Sequence, residues 1–173
     1  SGECPVLFVG RLVEGKRPHD AIRTVARVRE TREAVELYLC GNGPLRAELE
    51  TLAQELGVAE AVHFLGHVEY DAMAAIYRSA KALLLPSRAE GMPRVVLEAM
   101  ATGVPVVTSD LDQIASIAKQ AGRTAPVGDI DSFARTLEHV LQHESTLDKK
   151  ERQSAIKDVR WSETVTRTTD RLR

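Results

Sequence analysis

The chain reads as an α/β domain of three layers, with a parallel sheet of about six strands and helices on both faces. Two observations predict this. Short apolar runs alternate with segments of helical period along most of the 173 residues, and such alternation demands right-handed crossovers that place helices on both sides of a parallel sheet. The apolar runs are also brief and bounded: Ala82-Leu83-Leu84-Leu85 is stopped by Pro86, as a buried parallel strand would be.

The elements follow in order. Residues 6–9 form an apolar run ending in Gly10, and residues 18–32 carry Ala21, Ile22, Val25 and Val28 on one helical stripe. Residues 35–39 make the second strand, closed by the turn Gly41-Asn42-Gly43-Pro44. Leu45, Leu49, Leu52 and Leu56 then mark one helix face, which Gly57 ends. The pattern repeats with a strand at 62–65 and a helix at 71–80, then a strand at 82–85 and a helix at 95–101 ending in Gly103. A strand at 106–108 precedes a helix from Asp112 to Gln120, and a short strand at 123–125 precedes a helix at 131–143 with the stripe Phe133, Leu137, Val140 and Leu141. Residues 144–157 are charged and poor in large apolar groups. Beyond them Ser162 reads as an N-cap and Trp161 as the anchor of a short amphipathic segment ending at Leu172. A single domain over residues 1–173 is expected, with its core at 4–143 and a helical extension at 144–173.

Composition narrows the function. Lys and Arg number 23 against 25 Asp and Glu, a formal charge of −2, so no broad cationic face is expected for a nucleic-acid backbone or an anionic membrane. No apolar stretch approaches the roughly 20 residues needed to span a bilayer, and no signal peptide is recognised before the first strand. If the first two strands are parallel neighbours, Cys4 and Cys40 lie at opposite ends of the sheet, about 15–20 Å apart at ~3.3 Å per residue, beyond disulfide reach. Reduced thiols and a cytoplasmic location are the expectation.

Chemistry is concentrated in two loops. Gly10, Arg11, Lys16 and Arg17 lie between a strand end and a helix start. Arg11 and Lys16 can converge there on one diphosphate, the guanidinium in bidentate fashion and the ammonium as a point charge. Solvated loop cations are the plain alternative. Glu90 and Glu98 bracket the start of the helix after the fourth strand, and helix N-termini beyond the carboxyl ends of parallel strands suit anions. Glu90 could simply solvate a loop, and a carboxylate near a helix start is favoured anyway. Leu97, Ala99 and Met100 point instead to a largely buried helix, whose carboxylate must accept hydrogen bonds, as from a ribose diol at Glu98 or hexose hydroxyls at Glu90.

Other motifs carry less. Gly41-x-Gly43 opens a helix after a strand, but the third glycine of a dinucleotide fingerprint falls at Arg46. Asp110-Leu111-Asp112 and Asp129-Ile130-Asp131 share one unspecific form, and no metal site is expected. His19, His63, His67, His139 and His143 read as surface histidines.

Together, FVGRLVEGK, LYLCGNGPLR, VHFLGHV and PSRAEGMPRVVLEAMATGVPVV, in this order on successive strand–helix units, closely resemble the C-terminal domain of GT-B-fold retaining glycosyltransferases of family 4, also called group 1. The likeness runs from about Val6 to Trp161. It implies a Rossmann-like half of a GT-B fold that binds a nucleoside-diphosphate sugar, whose hexosyl group passes to an acceptor with its anomeric configuration kept. Arg11 and Lys16, next to Gly10, would hold the diphosphate, and the loop Gly91, Met92, Pro93, Arg94 and Val95 would add backbone N–H groups. Glu90 would meet the sugar's hydroxyls, Glu98 the ribose diol, and the backbone of Phe64, Leu65 and Gly66 the base. The catalytic set implied is Arg11, Lys16 and Glu90, with no metal or other cofactor.

Family members place the acceptor site on an N-terminal domain not found in these residues, so donor binding with little or no transfer is expected. Any membrane association would come through that missing part, in polysaccharide or glycolipid biosynthesis. After the PVV strand, Asp112-Gln113 and Ser116 replace the family's usual glycine pair and later glutamate. A non-catalytic nucleotide-sugar-binding subunit or sensor, and a fragment of a GT-B-fold sugar-nucleotide epimerase, are the competing readings.

Overall fold

A computed structural model describes residues 3–90, 94–112, 114 and 122–143. The loop residues Gly91, Met92 and Pro93, most of the helix expected at 112–120 and the extension at 144–173 lie outside the described residues. Six parallel strands form one sheet: β1 Cys4–Val9, β2 Val35–Cys40, β3 Val62–Gly66, β4 Ala82–Leu85, β5 Val106–Ser109 and β6 Gly122–Ala125. Their spatial order is β3-β2-β1-β4-β5-β6. The described helices are α1 Pro18–Arg29, α2 Arg46–Glu55, α3 Tyr70–Ser79, α4 Arg94–Ala101 and α5 Ile130–His143. The expected three-layer Rossmann-like fold is what forms.

Side chains alternate across the pleat, so each central strand feeds two cores. On one face Val6 and Phe8 of β1 and Ala82 and Leu84 of β4 meet Ile22 and Val25 of α1 and Phe133 and Leu137 of α5. On the other, Leu7, Leu83 and Leu85 meet Ile76 and Tyr77 of α3 and Val96 and Ala99 of α4. Burial on both faces explains why β4 reads as a continuous apolar run rather than an alternating one.

Helix α1 ends three residues before the sequence predicts. The N–H groups of Thr31 and Arg32 both turn back onto the Val28 carbonyl, at 3.1 and 2.9 Å, and close it. Leu97 corrects the expectation of a largely buried α4: it is 44% exposed, because the packed stripe runs through Val96 and Ala99. Cys4 is opposite Val35 and Cys40 opposite Val9, so the two cysteines do sit at opposite ends of neighbouring strands. Burial pushes the Cys40 thiol up to about 12. Among the described residues no helix is long and apolar enough to cross a membrane.

Candidate functional site

The strand order reverses between β1 and β4. From β1 the chain builds outward through β2 and β3, and from β4 it builds the other way through β5 and β6. Loops leaving the carboxyl ends of β1 and β4 therefore splay apart and open a crevice, the place where parallel α/β sheets bind ligands. Both loops predicted to carry chemistry leave from this point.

A backbone bond ties them together, from the Arg88 N–H to the Gly15 carbonyl at 2.9 Å. Side chains complete the link. Lys16 Nζ donates to both carboxylate oxygens of Glu90, each at 2.7 Å, across 74 residues of sequence. The Glu90 side chain is 7% exposed and that of Lys16 is 31% exposed. The carboxylate is thus withdrawn from water while the ammonium keeps a solvent-facing side. With two of its three protons on Glu90, Lys16 has one left for another acceptor.

Three cations in the first loop look alike in sequence, and the fold separates them. Arg17 adopts the left-handed conformation, with φ 51°, between the 3-10 turn Glu14–Lys16 and α1. Its Nε reaches Asp20 Oδ2 at 2.5 Å, and Asp20 also takes Arg23 at 3.4 Å, so that charge is spent on the helix start. Arg11 is exposed, with no hydrogen bond or ion pair from its side chain among the described residues. Of these three, Lys16 is the cation whose side chain bonds to the second loop.

The rim beyond β1, β2 and β3 is built from backbone. Gly10 N–H donates to the Cys40 carbonyl at 3.0 Å, Leu12 N–H to Asn42 at 3.0 Å, Leu45 N–H to Leu12 at 3.2 Å, and Gly41 N–H to Gly66 at 2.7 Å. This closeness accounts for the Gly41-x-Gly43 motif. A Cβ on Gly41, whose φ is +143°, would lie 1.9 Å from the Gly10 carbonyl oxygen, and one on Gly43 would lie 2.3 Å from that of Leu12. Leu65 and Gly66 are buried, and the half-buried Phe64 ring lies under the Arg46 guanidinium, 5.4 Å from its centroid.

On the α4 side, Arg94 is exposed, Val95 and Glu98 are half-buried, and Glu98 Oε2 accepts the Tyr77 hydroxyl at 2.9 Å. Burial first, then the bond to Glu98 and its charge, push the Tyr77 phenol above its usual range, so it remains a donor. Sequence reasoning missed this partner. Its signal was a tyrosine on the buried stripe of α3, since a buried phenol needs a partner. Ser87 and Ser109, fully buried just past β4 and at the end of β5, carry hydroxyls with no hydrogen-bond partner among the described residues.

Two histidines differ from the surface expectation. The β2–β3 register sets His63 beside Tyr38, where the rings stack at 4.5 Å and Nε2 lies 3.0 Å from Glu36. The His19 side chain is 13% exposed and lies 2.8 Å from Glu48.

Comparison with known proteins agrees with this architecture. The family model for glycosyl transferases group 1 matches residues 2–160. The chain is 32% identical over 173 residues to a glycogen synthase of Mycobacterium tuberculosis, covering 97% of this chain and 42% of that protein. It is 32% identical over 178 residues to a D-inositol 3-phosphate glycosyltransferase of Gordonia bronchialis, covering 94% of this chain and 38% of the relative. Among solved structures, a lipopolysaccharide outer core galactosyltransferase, WaaB in its apo form, superposes with a TM-score of 0.75 at 27% identity, over 91% of this chain and 45% of that one. The chain thus spans less than half the length of each of these proteins. A family match over nearly the whole chain, together with a GT-B neighbour's fold, shows that the chain belongs to the group 1 glycosyl transferases.

Proposed function

We propose that this chain is the donor-binding domain of a retaining glycosyltransferase, which transfers a hexosyl group from a nucleoside-diphosphate sugar to an acceptor. The observation that carries the reading is the Lys16–Glu90 pair at the point where the strand order reverses. It brings an ammonium with one uncommitted proton and a desolvated carboxylate into one crevice, as a diphosphate joined to a polyhydroxylated ring requires. The names of the relatives, among them a galactosyltransferase, support a hexose as the transferred group.

In this reading Arg11 and Lys16 hold the diphosphate and Gly10 lets the chain pass close beside it. The loop Gly91, Met92, Pro93, Arg94 and Val95 would add backbone N–H groups, from every residue but the proline, to the same charge, as the N-terminus of α4 would. Glu90 accepts hydroxyls of the sugar, Glu98 those of the ribose, and the backbone of Phe64, Leu65 and Gly66 lines the base. As the bond from the anomeric carbon to the diphosphate oxygen breaks, negative charge grows on the phosphate and positive charge on the sugar. The acceptor oxygen bonds to the same face of that carbon, and its proton passes to the departing phosphate. Fixed cations aimed at the leaving group lower this barrier, and one such donor is worth on the order of 3 kcal/mol. These cations meet the charge without a metal or other cofactor. The acceptor site lies on an N-terminal domain outside these residues, so the chain alone binds donor with little or no transfer. We place this chemistry in the cytoplasm, in polysaccharide or glycolipid synthesis.

Calorimetric titration with UDP-, GDP- and ADP-sugars tests the reading. One of them should bind, and Lys16→Ala should weaken the diphosphate far more than the corresponding nucleoside. Binding of none, or an equal loss for diphosphate and nucleoside, would refute it.

A further inference from the structure

We propose that Tyr77 is a positioning residue for the donor's ribose: its hydroxyl fixes the Glu98 carboxylate in the orientation that accepts the ribose diol. This rests on the ribose role proposed for Glu98. Tyr77 is 1% exposed and packs in the core beside Ile76, Leu65, Val96 and Ala99, which hold the ring from several sides. A tyrosine has only two side-chain torsions, and with its ring walled in, the hydroxyl has one place to be. It donates to Glu98 Oε2 at 2.9 Å.

Glu98 has no such restraint of its own. It sits one turn into α4, half-buried, on a side chain with three torsions. Among the described residues, no other side chain hydrogen-bonds to its carboxylate. An ionised carboxylate offers about four lone-pair positions and no donor. The phenol occupies one, which leaves enough for both hydroxyls of a vicinal diol. The bond therefore removes torsional freedom from the carboxylate without exhausting its capacity. It also gives α3 and α4 a polar contact inside an otherwise apolar interface, where an unpaired phenol would be costly.

Glu98 alone would recognise a diol but would have to be ordered each time a nucleotide binds. Tyr77 makes that ordering part of folding, which is how preorganisation raises affinity. Loss of the hydroxyl should therefore be felt by ligands that carry the diol and not by those that lack it.

The experiment titrates the wild-type protein, Tyr77→Phe and Glu98→Gln with UDP, GDP and ADP and with the 2′,3′-dideoxy form of each. Wild type should prefer one ribonucleotide over its dideoxy form by at least about tenfold, the worth of a hydrogen bond to a charged group. Glu98→Gln should remove most of that preference without touching the core. Tyr77→Phe should cost the ribonucleotide about fivefold, as a net hydrogen bond does, and leave the dideoxy form within about twofold. Adding Tyr77→Phe to Glu98→Gln should cost little more. If Tyr77→Phe weakens both forms equally, its role is structural and the inference fails. It fails too, alone, if Glu98→Gln abolishes the preference while Tyr77→Phe keeps it intact. No preference in wild type, or full preference in Glu98→Gln, overturns the ribose reading of Glu98 together with this inference.

Discussion

At the scale of single residues, the Lys16–Glu90 pair is unequal, and that inequality predicts which partner the fold can spare. Removing Lys16 leaves a carboxylate that is 7% exposed without its counter-charge, whereas neutralising Glu90 leaves an ammonium that is 31% exposed and can turn to water. Lys16→Ala should therefore cost about 2–3 kcal/mol and Glu90→Gln about 1 kcal/mol, since an amide at position 90 can still accept a hydrogen bond from Lys16. Urea denaturation of both variants at neutral pH would check the order, and a larger loss in Glu90→Gln would show that water already reaches the carboxylate. Both residues were legible in the sequence as candidates. Their contact was not, because it joins loops 74 residues apart and exists only in a sheet that sets β1 beside β4. Nor could composition tell Lys16 from Arg17, whose guanidinium is drawn to Asp20 by the turn geometry at the head of α1.

Elements were legible in proportion to how local their causes are. Apolar runs located the first five strands, and helical stripes located the described helices, because burial pattern is a property of short segments. Ends were less legible: β1 begins at Cys4, where pairing with Val35 extends it past the apolar run. The Gly41-x-Gly43 motif was visible, yet its purpose depends on the neighbouring loop. A methyl at Gly43 would strike the Leu12 carbonyl oxygen at 2.3 Å, while one at Gly15 meets nothing within 4 Å. Gly43→Ala should therefore cost about 3 kcal/mol and Gly15→Ala less than about 0.5 kcal/mol. Equal thermal midpoints for the two would contradict the close packing of these loops. At the head of the last described helix Asp129 caps α5, accepting the Ser132 N–H at 2.9 Å and the Ser132 hydroxyl at 2.8 Å. The backbone bond first, then the hydroxyl, hold its carboxyl below the usual carboxylate range. Its contribution is present above the unfolded pKa and disappears as pH falls through the lower folded value. Asp129→Asn should be less stable than wild type at neutral pH, and acid should close the gap; a constant difference in thermal midpoint across that range would rule out the charge as its source.

For the whole molecule, the question is whether the crevice sits on one folding unit or between two. The order of strands cannot be read from alternation alone, since several orders satisfy the same crossovers, and the described order is what makes β1 and β4 neighbours. Those same two strands are the common wall of both cores. Val6, Phe8, Ala82 and Leu84 face α1 and α5, while Leu7, Leu83 and Leu85 face α3 and α4. Neither core can dissolve without baring the back of a strand that the other needs, so loss on one face should spread to both. Phe133 of α5 tests this, being fully buried on the side away from α3 and α4. Phe133→Ala should cost about 3–5 kcal/mol, the usual price of emptying an aromatic site. If the sheet couples the two cores, the most protected amides of α3 and α4 should lose hydrogen-exchange protection by the same free energy as those of α1. Protection that falls only in α1 and α5 would mean the two faces open separately. Lys16 and Glu90 would then belong to units of different stability, and the crevice between their loops would not be preorganised by the fold.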